Sequence, residues 1–168
     1  VHGKACELKK LLSKLGYEQN NGFYQHDDRQ VIFIGDLIDR GKHNIEVIKI
    51  ARSMTEAGAA RIIMGNHEYN AICYHTPDGK GGYLREHTEK NNAQHEEFLK
   101  EFSSLEDGNN MLDSTINWFK TIPLFLDLEN LRLIHACWNH NSVNFLKDNL
   151  NPDNTLTEEF LFKSTIRD

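Results

Sequence analysis

The sequence of 168 residues is poor in features that settle function quickly. It has three cysteines, Cys6, Cys73 and Cys137, in no metal-binding spacing. An odd count with no framework excludes a disulfide scaffold and points to free thiols in a reducing, cytoplasmic compartment. No apolar run approaches the ~20 residues of a membrane-spanning helix, and no signal-peptide pattern is visible. Basic charge is in deficit: the formal net charge is −6. That argues against broad binding to nucleic acid or anionic membranes. It leaves anionic substrates open, because bound cations reverse a local field. There is no internal repeat and no low-complexity segment.

What is present is an ordinary globular composition, 39% hydrophobic and 26% charged, in a chain long enough for one domain with a core. Leu8, Leu11, Leu12 and Leu15 have the spacing of one buried helical stripe, with Gly16 placed to end it. NNGFYQHDD reads as a turn-rich connection. VIFIG (31–35) is a β-branched run expected to form a strand buried on both faces. Residues 44–57 read as a helix with Ile45, Ile48, Ala51 and Met54 on one side, RIIMG (61–65) as a second strand, and EYNAICYH as the next helix. Helix and strand in alternation favour an α/β architecture with parallel pairing.

Residues 76–83 form a glycine-rich loop, and 88–104 and 109–120 read as helices. The segments LFLDL and LRLIHAC, joined by the turn EN, read as a hairpin leading into a buried strand. The tail from 151 to 168 offers one short helix and no closing strand. Trp118, Phe119, Phe125 and Phe145 are expected in the core.

Three strand ends carry side chains of similar chemistry. VIFIG runs into Asp36, and DLIDRG adds Asp39 and Arg40. RIIMG runs into Asn66, His67 and Glu68. LRLI runs into His135. Taken singly, an aspartate after a strand is a turn former, and a histidine in an apolar strand is a hydrogen-bonded core residue. Together they are oxygen and nitrogen donors at the carboxyl ends of strands, where α/β sheets gather ligands. Such donors suit manganese, iron, zinc or nickel and lack the thiolates of a structural zinc site.

GDLIDRG (35–41) resembles the GDxxDRG motif of the calcineurin-like metallophosphoesterases, in the branch of Ser/Thr phosphoprotein phosphatases and symmetrical diadenosine tetraphosphatases. GNHEYN (65–70) resembles that branch's GNHE, HACW (135–138) its later histidine motif, and the opening VHG the end of its DxHG motif. The matches run in family order through most of the chain. The resemblance implies a four-layer αββα sandwich with mixed sheets, here with the second sheet incomplete. It implies one partial domain over 1–168, with 76–122 as a helical and loop insertion of bacterial type. It also places a metal aspartate just before Val1 and a final metal histidine beyond this sequence, so the chain reads as trimmed at both ends and is expected to show little activity by itself.

The resemblance further implies two divalent ions, manganese foremost, held by His2, Asp36, Asn66 and His135, with Asp36 as the bridge. Two such ions about 3.5–4 Å apart would activate a water for in-line attack on phosphorus. His67 would be the general acid, Asp39 its orienting carboxylate, and Arg40 with Asn66 the phosphoryl grip. Glu68 would tie down the loop. The implied reaction is phosphatase-type hydrolysis of phosphate esters or anhydrides on a phosphorylated small molecule, nucleotide or phosphoprotein. The alternatives are dinucleoside polyphosphate hydrolysis and, in another class, an inactive metal- or phosphate-binding fragment or regulatory protein. Lys80, Arg85 and His87 read as a solvated charged face, His75, His95 and His140 as bystanders, and Cys137 as a small packing residue.

Overall fold

The computed structural model describes residues 1–165. Its first element is helix α1 (Ala5–Lys14), whose Ala5, Leu8 and Leu12 are buried. The expected leucine stripe is half corrected: Leu11 and Leu15 are 53% and 45% exposed. Leu15 falls beyond the last helical turn, and Gly16, at φ +85°, turns the chain away there. The supposed connection that follows is a hairpin. Strands β1 (Glu18–Asn20) and β2 (Phe23–Gln25) pair antiparallel around Asn21 and Gly22. Both turn residues have positive φ, +53° and +90°, as the tightest hairpin turns demand of an Asn-Gly pair.

Strand β3 (Val31–Ile34), helix α2 (Asn44–Glu56) and strand β4 (Ala60–Ile63) form a βαβ unit in which β3 and β4 run parallel, Val31 opposite Ala60 and Ile34 opposite Ile63. A short β-branched strand suits a pleated, half-buried surface. Helix α2 lays Val47, Ile48, Ala51 and Met54 into the core. The expectation that β3 is buried on both faces fails at its end, where Ile34 is 49% exposed. Strand β3 pairs with β4 and, among the described residues, has no second ladder.

Helix α3 (Asn66–His75) starts two residues before the reading of EYN, so the NHE motif is its first turn. Helices α4 (Glu89–Ser103) and α5 (Gly108–Lys120) follow. Phe98, Phe102, Ile116 and Phe119 from these helices lie in the same core cluster as Leu37, Ile38, Val47 and Met54. The carboxylate of Glu101 on α4 accepts from the backbone N–H groups of Asn44 (2.5 Å) and Ile45 (3.0 Å), satisfying donors that open α2. The 76–122 stretch is thus joined to the βαβ unit by both apolar packing and a helix cap.

Strands β5 (Phe125–Leu128) and β6 (Leu131–Ile134) form the expected hairpin through Glu129 and Asn130. Strand β6 is not the buried strand anticipated: Leu131 is 46% exposed. The structure adds helix α6 (His140–Lys147), absent from the sequence reading, capped by the Asn139 side chain accepting from Ser142 N–H at 3.0 Å. It buries Val143 but leaves Phe145, assigned above to the core, 59% exposed. Helix α7 (Glu158–Lys163) is the expected short one, capped by Thr157. Residues 166–168 of the tail lie outside the described residues. The result is an α/β architecture whose sheets, among the described residues, are short and two-stranded.

Candidate active site

The loop after β3 can reach the loop after β4 only because both positions of contact are glycine. A Cβ on Gly35 would overlap the Gly65 backbone, and one on Gly65 would overlap the Asp36 amide nitrogen. Gly3 and Gly41 meet in the same way. Backbone bonds then stitch the segments together: His2 N–H to Asp36 C=O at 2.9 Å, and Gly3 N–H to Leu37 C=O at 2.8 Å. Four non-glycine residues here hold left-handed φ values: His2 at +51°, Asp36 at +53°, and Asp39 and Arg40 at +67°. Each such residue carries strain of order 1–3 kcal/mol that surrounding structure must hold, and strain of this kind collects at functional sites.

Glu68 is what holds it. Its carboxylate is fully buried and accepts from Asp36 N–H (2.8 Å), Leu37 N–H (2.8 Å) and Gly65 N–H (3.0 Å). Burial pushes its carboxyl above the ordinary range, against the pull of those three donors. One side chain in the first turn of α3 thereby fixes the β3 loop to the β4 loop.

On the open side, Asp36 presents both oxygens to imidazole nitrogens. His2 Nε2 lies 3.4 Å from Oδ2, and His135 Nε2 lies 3.5 Å from Oδ1. These separations are long for hydrogen bonds. Each ring is held from its far side by a backbone carbonyl: His2 Nδ1 donates to Ile38 C=O at 3.0 Å, and His135 Nδ1 to Ile34 C=O at 2.6 Å. A proton fixed on Nδ1 leaves the Nε2 lone pair free and aimed inward, which is how metal-binding histidines are oriented. Donor atoms of His2, Asp36 and His67 fall within 4.8 Å of one another. With His67 committed to Asp39, the imidazoles of His2 and His135 and the Asp36 carboxylate are the donors left to fit the divalent cation that the sequence motifs imply. Asn66, first residue of α3, and Arg40, next to Asp39 in the chain, are exposed.

Beneath lies a buried counterpart. Asp39, 3% exposed, takes His67 Nδ1–H on Oδ2 at 2.6 Å and His95 Nδ1–H on Oδ1 at 2.8 Å. Burial pushes the Asp39 carboxyl up, but the hydrogen bonds from His67 and His95 outweigh it and hold the group below the usual carboxylate range. The Asp39 hydrogen bond in turn raises His67, against burial. With Nδ1 committed to Asp39, the His67 ring packs against that of His2 in a T-shaped contact, centroids 4.7 Å apart. A raised, carboxylate-held imidazole beside the donor cluster can deliver a proton there.

Of the proposed site residues, His2, Asp36, His67 and His135 converge, Asp39 is bonded to His67, and Asn66 and Arg40 are exposed. His95 is a correction. Treated as a bystander, it is buried at 5% exposure and bonded to Asp39. The available signal was its place on one buried stripe of α4 with Phe98 and Phe102, where a histidine needs a partner. Arg85 also leaves the solvated face: it donates to Asn91 and Gln94 and lines a small cavity beside Asp39 and His95. His87 stacks between Tyr74 and Tyr83 at 3.8 and 4.1 Å. Cys137 is exposed, so it is no packing residue.

Comparison with known proteins adds the following. The model of the calcineurin-like phosphoesterase family matches residues 1–166. The chain is 36% identical over 137 residues to the asymmetrical bis(5'-nucleosyl)-tetraphosphatase PrpE of Oceanobacillus iheyensis, covering 81% of this chain and 52% of that protein. It is 33% identical over 137 residues to the protein of the same name from Bacillus subtilis, covering 81% and 53%. A symmetrical bis(5'-nucleosyl)-tetraphosphatase of Hamiltonella defensa is 27% identical over 135 residues, covering 80% and 40%. The chain spans about half the length of the first two of these relatives.

Proposed function

Because the chain belongs to the calcineurin-like phosphoesterase family, we propose that its parent protein hydrolyses phosphate esters or anhydrides with a metal-activated water. The observation that carries this reading is the Asp36 carboxylate faced by His2 Nε2 and His135 Nε2, each ring held by a backbone carbonyl. These three residues, with Asn66, would hold the divalent ions, manganese foremost. Bound there, the metal supplies Lewis acidity and lowers the pKa of a coordinated water.

The remaining work falls to this chain's own side chains. Arg40 binds phosphoryl oxygens with its planar fork, and Asn66 adds an amide donor. His67 gives the proton on Nε2 to the departing oxygen, while Asp39 holds Nδ1–H and steadies the imidazolium that serves as the acid. Glu68 keeps the two loops in register and touches no reacting atom. Among phosphate substrates, the names of the relatives favour a dinucleoside tetraphosphate over a phosphoprotein. A cytoplasmic location belongs to the same reading and draws on the free cysteines.

The test uses the full-length protein, stripped with chelator and reloaded with Mn²⁺. It is offered p-nitrophenyl phosphate, a phosphoserine peptide and a dinucleoside tetraphosphate. Metal-dependent hydrolysis is expected with each, fastest with the third substrate, which releases nucleotide. Turnover unchanged by chelation would end the metal reading, and preference for the phosphopeptide would end the substrate reading.

A further inference from the structure

Asp39 is a carboxylate with two bound histidines, and the proposed acid chemistry uses one of them. The second, His95, comes from α4, 56 positions further along the chain. Its Nδ1 must be the donor, since an ionised carboxylate only accepts. The ring stacks on Phe98, with centroids 4.5 Å apart and planes 22° apart, and tilts against Tyr74 at 5.1 Å. Its Nε2 is buried and, among the described residues, has no hydrogen-bond partner. Among the described residues, the ring's one hydrogen bond is to Asp39.

A carboxylate held through a single oxygen can swing about its terminal torsion, which is broad. Held through both oxygens, it has one plane. We propose that His95 is a positioning residue for His67: by clamping Oδ1 of Asp39 it fixes Oδ2, and through Oδ2 the direction in which His67 presents its proton. This rests on the reading of His67 as general acid. It gives the 76–122 segment a part in the chemistry, because α4 is the element that brings His95 to Asp39. The Glu101 cap on α2 holds α4 in place against the βαβ unit.

The experiment uses the full-length, Mn²⁺-loaded protein and three variants. His95→Phe keeps an aromatic ring on Phe98 and removes the donor. His95→Asn places an amide N–H where Nδ1 was, and His95→Gln places it where Nε2 was. His95→Phe is expected to lower kcat about 10–100-fold, the scale on which an outer hydrogen-bond partner acts, with KM and Mn²⁺ affinity unchanged. The loss should be greater for an alkyl phosphate than for p-nitrophenyl phosphate, whose leaving group needs little protonation. His95→Asn should restore most of the rate and His95→Gln little of it. In a His67→Asn background, His95→Phe should cost nothing further.

Equal losses on both leaving groups, additive losses in the double variant, or rescue by Gln as good as by Asn would each reduce His95 to packing. Full activity of His95→Phe beside a crippled His67→Asn would sink this inference alone. Full activity of His67→Asn would sink the acid reading and this inference with it. If His95→Phe does not fold, proton NMR of the unmodified protein still decides. Two ring N–H protons shifted downfield by a carboxylate are expected, both removed by Asp39→Asn, and a single such proton overturns the clamp.

Discussion

Asp36 and Asp39 sit on one loop, yet their surroundings differ in nearly every physical respect. Asp36 is part-exposed, and its imidazole neighbours stand off at 3.4 and 3.5 Å. Asp39 is buried, and its imidazole neighbours are bonded at 2.6 and 2.8 Å. The protein gives each Asp39 oxygen an imidazole N–H, whereas the Asp36 side chain accepts a long backbone N–H bond from His67 at 3.3 Å and otherwise faces the Nε2 atoms. Carboxylates and imidazoles thus serve in two ways here: as a finished hydrogen-bonded unit and as a cradle shaped for a cation. The difference lies in the far ring nitrogens as well. In the cradle, Nδ1 goes to backbone carbonyls and Nε2 points inward. In the buried unit, Nδ1 goes to the carboxylate itself.

The contrast can be broken most forcefully at Asp36. Asp36→Asn removes the charge that faces the cation, so phosphate hydrolysis by the full-length protein should fall to background and Mn²⁺ binding by calorimetry should weaken sharply. The circular dichroism spectrum should be retained. An active Asp36→Asn protein would show that the cradle is not the metal site. His67→Asn strikes the other half. Turnover should drop about 10²–10⁴-fold while Mn²⁺ binding stays near its original strength. If metal affinity falls in step with turnover, His67 belongs to the cradle.

Legibility in the sequence followed the same divide. Asp36, Asn66, His67 and His135 stood out because each ends a recognisable apolar strand, and strand ends converge. His95 did not, because its link to Asp39 spans 56 positions and depends on how α4 packs. The βαβ unit was readable from periodicity, and the hairpin at Asn21–Gly22 was missed although an Asn-Gly pair is a strong local signal. Helix α6 was overlooked because only Val143 is buried, leaving too little apolar pattern to see. Phe145 misled for the reverse reason: its size suggested core, but it lies on the exposed side of that helix and meets Phe160 at 6.0 Å.

Two smaller effects sharpen the comparison. Glu68 serves both halves, as it fixes the loop that carries Asp36 to the helix that carries His67. Glu68→Gln leaves a buried backbone donor facing an amide nitrogen and should lower stability by about 1–3 kcal/mol, read by urea denaturation. No loss would mean that the loops are held by their backbone bonds alone. The smallest effect concerns His75, behind the buried unit. Burial first, then the neighbouring His95 and His87, push it down to about 4. Its folded-state value lies below the unfolded one of about 6.5, so the unfolded chain takes up the proton first as pH falls. The stability tied to neutral His75 is therefore present above pH 6.5 and lost as pH falls through about 4, on the order of 1–2 kcal/mol once solvent screening of the part-exposed ring is discounted. As pH falls from 6.5 to 4, the parent should lose stability relative to His75→Gln, which has no ring to protonate, so the two unfolding free energies should separate on acidification. Parallel curves across that window would contradict it.

The contact between Gly35 and Gly65 restricts how this sequence can vary. Most touching pairs tolerate exchange, since a larger residue on one side is accommodated by a smaller one on the other. Here a first carbon on either residue meets main chain, which cannot be made smaller. No compensating pair exists. A library randomised at both positions and selected for activity should return glycine at each, with alanine rejected as firmly as tryptophan. Covariation methods would find no signal between 35 and 65, although these residues are in contact.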